Sequence, residues 1–399
     1  VYPLSSTDPG NRFDNELSWP VNHAYSNADV SAALAIRDQF KYDKAFNYAI
    51  FTNPVYASVG FGGVFDGLRH TVKGVTGTTT DFGQAYGFFG WLRPDAVARR
   101  LDLDSVKITA GDGTVVGGLA GFAHGTIEDV GVYDLAITSE SGDFGATLGG
   151  VIGQTRGATI QDTYATGTLS PARVDVVGGI LGASQFASQI RRVGTDVDIL
   201  TGDNVGGIVG VCQWRGDTID TAYSLGDLSV GGGGSLGGIL GRSNEGVTIT
   251  NALVAGRLTG NFWSSVGGIL GFAPSDRNSS IKNAVFLGYI TAGERHPFMP
   301  PSNGMVGGLI VRVTLDQVIV GGRGIDADGQ PLSLLGNVGD TSNTYSNVLL
   351  NQDSMGSTDT RDGATLITRA ALQSGALPAG FDEAAWSVQA GRVPLPTTL

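Results

Sequence analysis

The chain has 399 residues, of which 63 are glycine, and its formal net charge at pH 7 is -12. Collagen is excluded because no Gly-X-Y period is present, and a flexible linker is excluded because 41% of the residues are hydrophobic. The acidic balance argues against a nucleic-acid partner and against an anionic membrane surface. No apolar run reaches the ~18 residues that a membrane helix needs, so we expect no membrane insertion.

Residues 1–60 contain no internal repeat, and we predict that they form an N-terminal cap. Ser26-Asn27-Ala28-Asp29 is typical of a helix start, and apolar residues follow it through Phe40. An amphipathic helix here would cover the open edge of the structure that follows. The first twenty residues lack a basic region followed by an apolar run. We therefore expect that no signal peptide is present in this chain, because it was removed or because the chain is a fragment.

A repeat of the form Gly-apolar-apolar-Gly dominates the middle of the chain. Its leading glycines are Gly87, Gly118, Gly150, Gly179, Gly207, Gly238, Gly268 and, in a degenerate copy, Gly308. They are separated by 31, 32, 29, 28, 31, 30 and 40 residues. Each unit also holds an Ile followed by a polar-to-small step, as in Ile249-Thr250-Asn251-Ala252, and a Gly-X-apolar step, as in Gly256-Arg257-Leu258.

Three short, β-branched segments per unit are typical of one coil of a solenoid. We predict an all-β fold, a right-handed parallel β-helix of about eight coils of ~30 residues over residues 61–320. Corner positions would require glycine for positive φ or for lack of a side chain. Of the apolar pair between two glycines, we expect one side chain to point inward and the other to be half-covered.

The repeat is lost from about residue 321. We predict that residues 321–399 form an irregular region followed by a small C-terminal cap. The apolar residues of that cap would be Leu366, Ile367, Leu372, Phe381 and Trp386.

These motifs resemble the GLUG-motif β-helix proteins of bacterial surfaces and secretions. The opening Phe61-Gly62-Gly63-Val64-Phe65-Asp66-Gly67 looks like the first-coil signature of that family, and the Gly-apolar-apolar-Gly units match its core motif. The ending, from Phe381 to Val388 and then Pro394-Leu395, is similar to its closing segment. The resemblance implies a stalk or binding scaffold and not a defined activity.

No metal, disulfide or cofactor site is expected. Cys212 is the single cysteine, and the four histidines show no His-Glu-x-x-His spacing. Arg215-Gly216-Asp217 spells an integrin-binding tripeptide, which we interpret as an ordinary coil corner.

Aligning the coils on their isoleucines places Thr168, Asp198, Asp227, Arg257 and Tyr289 in one outward column. Neighbouring coils would hold Asp198 and Asp227 about 5 Å apart, close to the spacing in a retaining glycosidase. The alternative is a solvated column in which Arg257 offsets two acids. We favour the second interpretation, and a catalytic pair of Asp198 and Asp227 remains the alternative.

Aromatic residues supply the binding candidates. Tyr164 and Tyr223 fall in register two coils apart, Tyr289 lies near them, and Trp214 sits in a loop. With Arg257, these residues form the predicted binding set, because exposed rings stack on sugars or on protein surfaces. We predict a non-catalytic, secreted or cell-surface structural or adhesive module that binds a glycan, a surface protein or its own copies. The alternative function is a polysaccharide hydrolase or lyase.

Overall fold

The computed structural model describes residues 60–80, 83–140, 145–172, 176–214, 216–273, 278–294, 302–336, 342–352 and 364–399. The helix predicted between residues 26 and 40 lies outside these ranges. Inside them the chain is almost entirely β-structure, with one short helix.

The strands are short and follow one another closely along the chain. The first twelve are β1 (Val64–Lys73), β2 (Thr76–Thr78), β3 (Ala85–Tyr86), β4 (Phe89–Leu92), β5 (Val97–Asp104), β6 (Lys107–Ala110), β7 (Val115–Gly117), β8 (Ala120–Ala123), β9 (Thr126–Ser139), β10 (Thr147–Gly149), β11 (Ile152–Thr155) and β12 (Thr159–Ser170). The next twelve are β13 (Val176–Gly178), β14 (Leu181–Ser184), β15 (Gln189–Ile199), β16 (Asn204–Gly206), β17 (Val209–Cys212), β18 (Thr218–Ser224), β19 (Leu228–Ser229), β20 (Ser235–Gly237), β21 (Leu240–Ser243), β22 (Thr248–Val254), β23 (Arg257–Thr259) and β24 (Ser265–Gly267). The last elements are β25 (Leu270–Ala273), β26 (Ser279–Phe286), β27 (Tyr289–Thr291), β28 (Asn303–Gly304), β29 (Gly307–Ile310), β30 (Val313–Val320), β31 (Arg323–Ile325), β32 (Thr344–Asn351), β33 (Ala364–Ile367), α1 (Arg369–Leu372), β34 (Trp386–Ser387) and β35 (Leu395–Pro396).

All of these strands except β34 and β35, which pair antiparallel with each other, form three parallel sheets that run along a solenoid of about nine turns. Sheet 1 has 17 strands and includes β1, β5, β9, β12 and β15. Sheet 2 stacks eight strands from β3 to β28, and sheet 3 stacks eight from β4 to β29. Each strand pairs with its equivalent in the next coil, so that Ile190, Ile219 and Ile249 lie in one register column. The predicted parallel β-helix class is confirmed.

The Gly-apolar-apolar-Gly motif forms the corner between sheets 2 and 3 in the seven copies led by Gly87 to Gly268. Gly308, predicted to lead a degenerate eighth copy, instead occupies the position of the trailing Gly271, and Met305 replaces the leading glycine of that coil. In one coil Gly149 ends β10, Val151 lies in the bend and Ile152 begins β11. Both apolar side chains are fully buried, as are the equivalent Ile208 and Val209. The expectation that one of the two would be half-covered is therefore wrong. The chain changes direction between them, so the in-out alternation of a straight strand does not apply.

Close approach of neighbouring coils, and not positive φ, explains the glycine at this corner. A Cβ on Gly150, Gly179, Gly207 or Gly238 would collide with the carbonyl oxygen of the equivalent glycine one coil later. None of these four residues has a positive φ. Each coil therefore requires a residue without a Cβ at this corner for the same reason as the coil before it. The glycine recurs at each turn because of this requirement.

Left-handed backbone instead recurs at one equivalent position of sheet 1 in successive coils, at residues other than glycine. These residues are Arg100, Asp129, Asp162, Arg192, Thr221, Asn251, Asn283, Gln317 and Asn347, with φ between 51° and 57° for the whole set. Several of their side chains join adjacent coils: Arg192 forms a two-point ion pair with Asp162, and Asn283 donates to Asn251 at 3.1 Å. Asn and Asp tolerate this conformation best, which accounts for the five coils that have one of them at this position.

From β18 to β31 sheet 1 contains two successive strands in each coil, separated by a bend at a glycine. The bends lie at Gly226, Gly256, Gly288 and Gly322. Parallel pairing continues past residue 320, because β30 pairs with β32 and β32 pairs with β33.

The C-terminal segment packs against the side of the solenoid. Residues 368–399, which we call the strap, lie on the outward side chains Val285, Ile319 and Leu349. Trp386 is buried in this second core, and its indole Nε1 donates to Gln317 Oε1 at 3.1 Å. The compact C-terminal unit predicted as a cap thus covers a lateral face of sheet 1.

Candidate functional site

The charged column predicted from the sequence is present on the outward face of sheet 1. Thr168 pairs with Asp198, and Arg257 pairs with Tyr289. Pairing of Ile199 with Leu228 places Asp198 beside Asp227. The column continues to Arg323, which pairs with Tyr289 and which sequence reasoning missed because the repeat was considered to end at about residue 321.

The two aspartates of this column bind backbone of the next coil. Asp198 Oδ1 accepts the backbone N–H of Asp227 at 2.8 Å, and Asp227 Oδ1 accepts that of Arg257 at 2.9 Å. Both side chains are exposed to solvent. A carboxylate in this arrangement satisfies a strand-edge donor and joins one coil to the next. The geometry supports a structural part for both residues.

Three tyrosines form a continuous aromatic surface, the tyrosine platform, on sheet 1. The ring of Tyr164 lies 6.1 Å from that of Tyr223 and 6.1 Å from that of Tyr133, measured between centroids. Gly194 occupies the register position between Tyr164 and Tyr223, and a Cβ on it would collide with the Tyr223 ring. Partial burial raises the pKa of each phenol above its ordinary value of 10.0, with nearby carboxylates adding to the shift for Tyr133 and Tyr164.

Tyr133 was missed by sequence reasoning for a local reason. The register of β9 shifts against β12 between Ala165 and Gly167, so coil alignment does not place Tyr133 with the other two. Its ring nevertheless lies over Gly131, the residue that pairs with Tyr164. A glycine in line with Tyr164, followed two residues later by a tyrosine on the same strand, is the sequence signal that could have identified Tyr133.

Trp214 lies apart from the platform. It follows β17 in the loop that leads to sheet 1, and its ring meets that of Phe186 edge-on at 5.5 Å. The guanidinium of Arg156 lies over the Phe186 ring, 4.4 Å from the ring centroid. The predicted binding set is therefore divided among the platform, the charged column and this loop.

A groove of about 880 Å³ separates the charged column from the strap. Its floor is formed at the glycine bends of sheet 1, and its apolar wall includes Leu287, Val393 and Leu395. Its charged and aromatic lining residues are Asp227, Arg257, Tyr289, Arg323, Arg369 and Arg392. The sequence predicted Arg257 and Tyr289 as binding residues. The two arginines of the strap could not be assigned to this groove before the position of the strap was known.

Asp217, the acid of the Arg-Gly-Asp tripeptide, is buried. Its Oδ1 accepts from the Ser184 hydroxyl at 2.8 Å and from the Ser188 N–H at 2.6 Å. Only 1% of the residue is exposed, so its carboxylate is not available to a partner. Arg215 lies outside the described residues. Burial raises the pKa of Asp217 above 3.8, although the hydrogen bonds from Cys212, Ser184 and Ser188 oppose the shift.

Replacing Asp217 with asparagine is expected to stabilise the fold at neutral pH. The raised pKa means that the folded state holds the proton more tightly than the unfolded chain does. The contribution of Asp217 to the stability of the fold is therefore complete below pH 3.8 and falls as the pH rises through the raised pKa. We expect Asp217→Asn to raise the free energy of unfolding at pH 7 by about 1 kcal/mol, measured by denaturant titration. At pH 3 the variant and the wild type should be equally stable. A stabilisation that is equal at both pH values would contradict this assignment.

Comparison with known proteins finds a similarity over part of the chain. A 167-residue stretch is 31% identical to halomucin of Haloquadratum walsbyi and covers 37% of this chain. It spans 2% of halomucin. No family model matches the chain, and no solved structure does. Among the described residues, no helix is long and apolar enough to cross a membrane.

Proposed function

We propose that this chain is a rigid structural module of a cell-surface protein, with a lateral face that adheres to carbohydrate. The β-solenoid fold and the similarity to halomucin, a cell-surface protein, are compatible with a structural role at the surface. The finer assignment, a secreted or surface-attached adhesin of the GLUG type, rests on the glycine motifs and on the aromatic residues of sheet 1.

Rigidity follows from the way the coils are joined. About nine turns stacked at ~4.8 Å form a rod of roughly 40 Å. Backbone hydrogen bonds also continue through the corners, since the N–H groups of Ile180, Ile208 and Ile239 each donate to the next coil. A rod with bonds at strands and corners resists bending at any single coil.

The observation that carries the adhesive part is the tyrosine platform. Three half-exposed rings on a rigid sheet offer flat apolar faces with phenol groups, the combination that stacks on a sugar ring and bonds its hydroxyls. The rings are held in place by the sheet, so little side-chain entropy is lost on binding. A surface protein or a second copy of this chain is the other occupant to be tested.

Substitution of Tyr223 tests the platform. We expect the wild-type chain to bind members of an array of neutral polysaccharides and Tyr223→Ala to weaken that binding about tenfold, equivalent to roughly 1.4 kcal/mol. Phe262→Ala is the matched control, because Phe262 is exposed in the loop between β23 and β24 and not on the platform. Equal binding by the wild type and Tyr223→Ala would contradict the assignment. Concentration-dependent sedimentation without sugar binding would favour self-association instead.

A further inference from the structure

We propose that the groove between the charged column and the strap binds an acidic oligosaccharide, with its carboxylate or sulfate groups on the arginines. The proposal rests on the proposed carbohydrate-binding function for its class of ligand, but it concerns a different set of residues. The ligand chemistry follows from the charge of the lining, the spacing of the cations and the shape of the floor.

The charge of the groove lining is opposite in sign to the net charge of the whole chain. Four arginines and one aspartate line the groove, while the whole chain carries a net charge of -12. The single acid, Asp227, already accepts the backbone N–H of Arg257. Within the described residues, the guanidinium groups of Arg257, Arg323 and Arg392 are engaged in no salt bridge or hydrogen bond. These cations therefore retain their capacity for two-point bonds to an oxyanion.

The cations are regularly spaced on the sheet. Arg257, Tyr289 and Arg323 occupy the same register position in three successive coils. The two arginine Cα atoms are thus separated by two strand spacings, about 10 Å, with the tyrosine between them. An oligosaccharide lying along the column would place one sugar over Tyr289 and the anionic groups of its neighbours at the two arginines.

The glycine bends leave room for such a ligand. Gly256, Gly288 and Gly322 immediately precede the three column residues and lie in the lining. A Cβ on Gly288 or Gly322 would collide with the carbonyl oxygen of the preceding bend glycine, so the floor there is bare backbone. Arg392 faces this floor from the strap. A bound anion would therefore be held between two elements and partly shielded from water, which strengthens each charge-assisted bond.

Calorimetric titration of the full chain tests the proposal. The probes are oligogalacturonate, which carries carboxylates, dextran sulfate, which carries sulfate esters, and unsubstituted dextran, all in 0.15 M NaCl. We expect the acidic probes to bind, the tighter of the two to identify the anion, and dextran to bind at least tenfold more weakly. Arg257→Gln and Arg323→Gln should each weaken binding of the acidic probe about tenfold.

Lys107→Gln is the matched control. Lys107 is exposed on the same outward column nearer its N-terminal end, where it pairs with Ala136, so it removes the same charge at a distance from the groove. Equal weakening by Lys107→Gln would overturn the site, as would acidic probes that bind no better than dextran. Tyr223→Ala separates this site from the platform: it should reduce binding of neutral sugars and leave the acidic probe bound.

Discussion

Replacing Gly207 with valine is expected to destabilise the protein by more than about 4 kcal/mol, or to prevent folding. A Cβ at this corner would collide with the carbonyl oxygen of Gly238 and with the hydroxyl of Ser224. The Gly238 backbone cannot move away, because Gly238 lies equally close to the carbonyl oxygen of Gly268 one coil later. Denaturant unfolding followed by the β-sheet circular dichroism signal measures the effect.

Gly232→Val is the control for Gly207→Val. Gly232 lies in the turn between β19 and β20, and its added Cβ would meet only the carbonyl oxygen of Phe262, at 3.4 Å. We expect a change in the free energy of unfolding within about 1 kcal/mol. Equal stability of the two variants would show that the coil corner is not where we place it.

Replacing Trp386 with alanine is expected to release the strap from sheet 1. The Trp386 ring packs on Phe381, with 5.1 Å between the ring centroids, and its indole donates to Gln317. Truncation therefore leaves a cavity and removes one of the two hydrogen bonds that Gln317 Oε1 accepts. A loss of about 3–5 kcal/mol, confined to the strap, is the expected cost. Limited proteolysis should then cut within residues 368–399 while the sheet signal of the coils persists.

The control for Trp386→Ala is Trp263→Ala. Trp263 is 45% exposed and stacks on Phe262 in a loop, so its truncation should leave the strap resistant to protease. Trp386→Ala should also abolish binding in the groove, which loses its second wall. Simultaneous loss of the strap and of the sheet signal in Trp386→Ala would contradict a strap that docks on a self-supporting solenoid.

The periodic part of the structure could be predicted because its contacts are between equivalent residues about 30 positions apart. Alignment on Ile190, Ile219 and Ile249 therefore placed Asp198 beside Asp227 and Tyr164 in line with Tyr223. Composition also indicated glycine corners, and of the two causes predicted, positive φ or a missing side chain, the second applies. The buried second member of each apolar pair was predicted incorrectly, because strand alternation was assumed across a bend.

The parts of the structure that could not be predicted depend on contacts that do not recur with the repeat. The strap meets Gln317 and Thr221 through residues 382 and 398, and no repeat in the sequence predicts either pairing. Arg369 and Arg392 consequently could not be assigned to a groove before the strap was placed. Asp217 illustrates a related limit: its neighbours Ser184 and Ser188 belong to the preceding coil, and the tripeptide pattern alone gives no indication of its burial.

The position of the strap implies an order of events in folding. Coil contacts join residues about 30 apart, whereas Asp382 meets Gln317 across 65 residues and Thr398 meets Thr221 across 177. Contacts with long loops form late, because the entropy of loop closure is lost before they contribute stability. Coils can therefore assemble one on the next, and the strap docks once at least β18 to β32 are in place. A docked strap therefore indicates that the central coils have already folded.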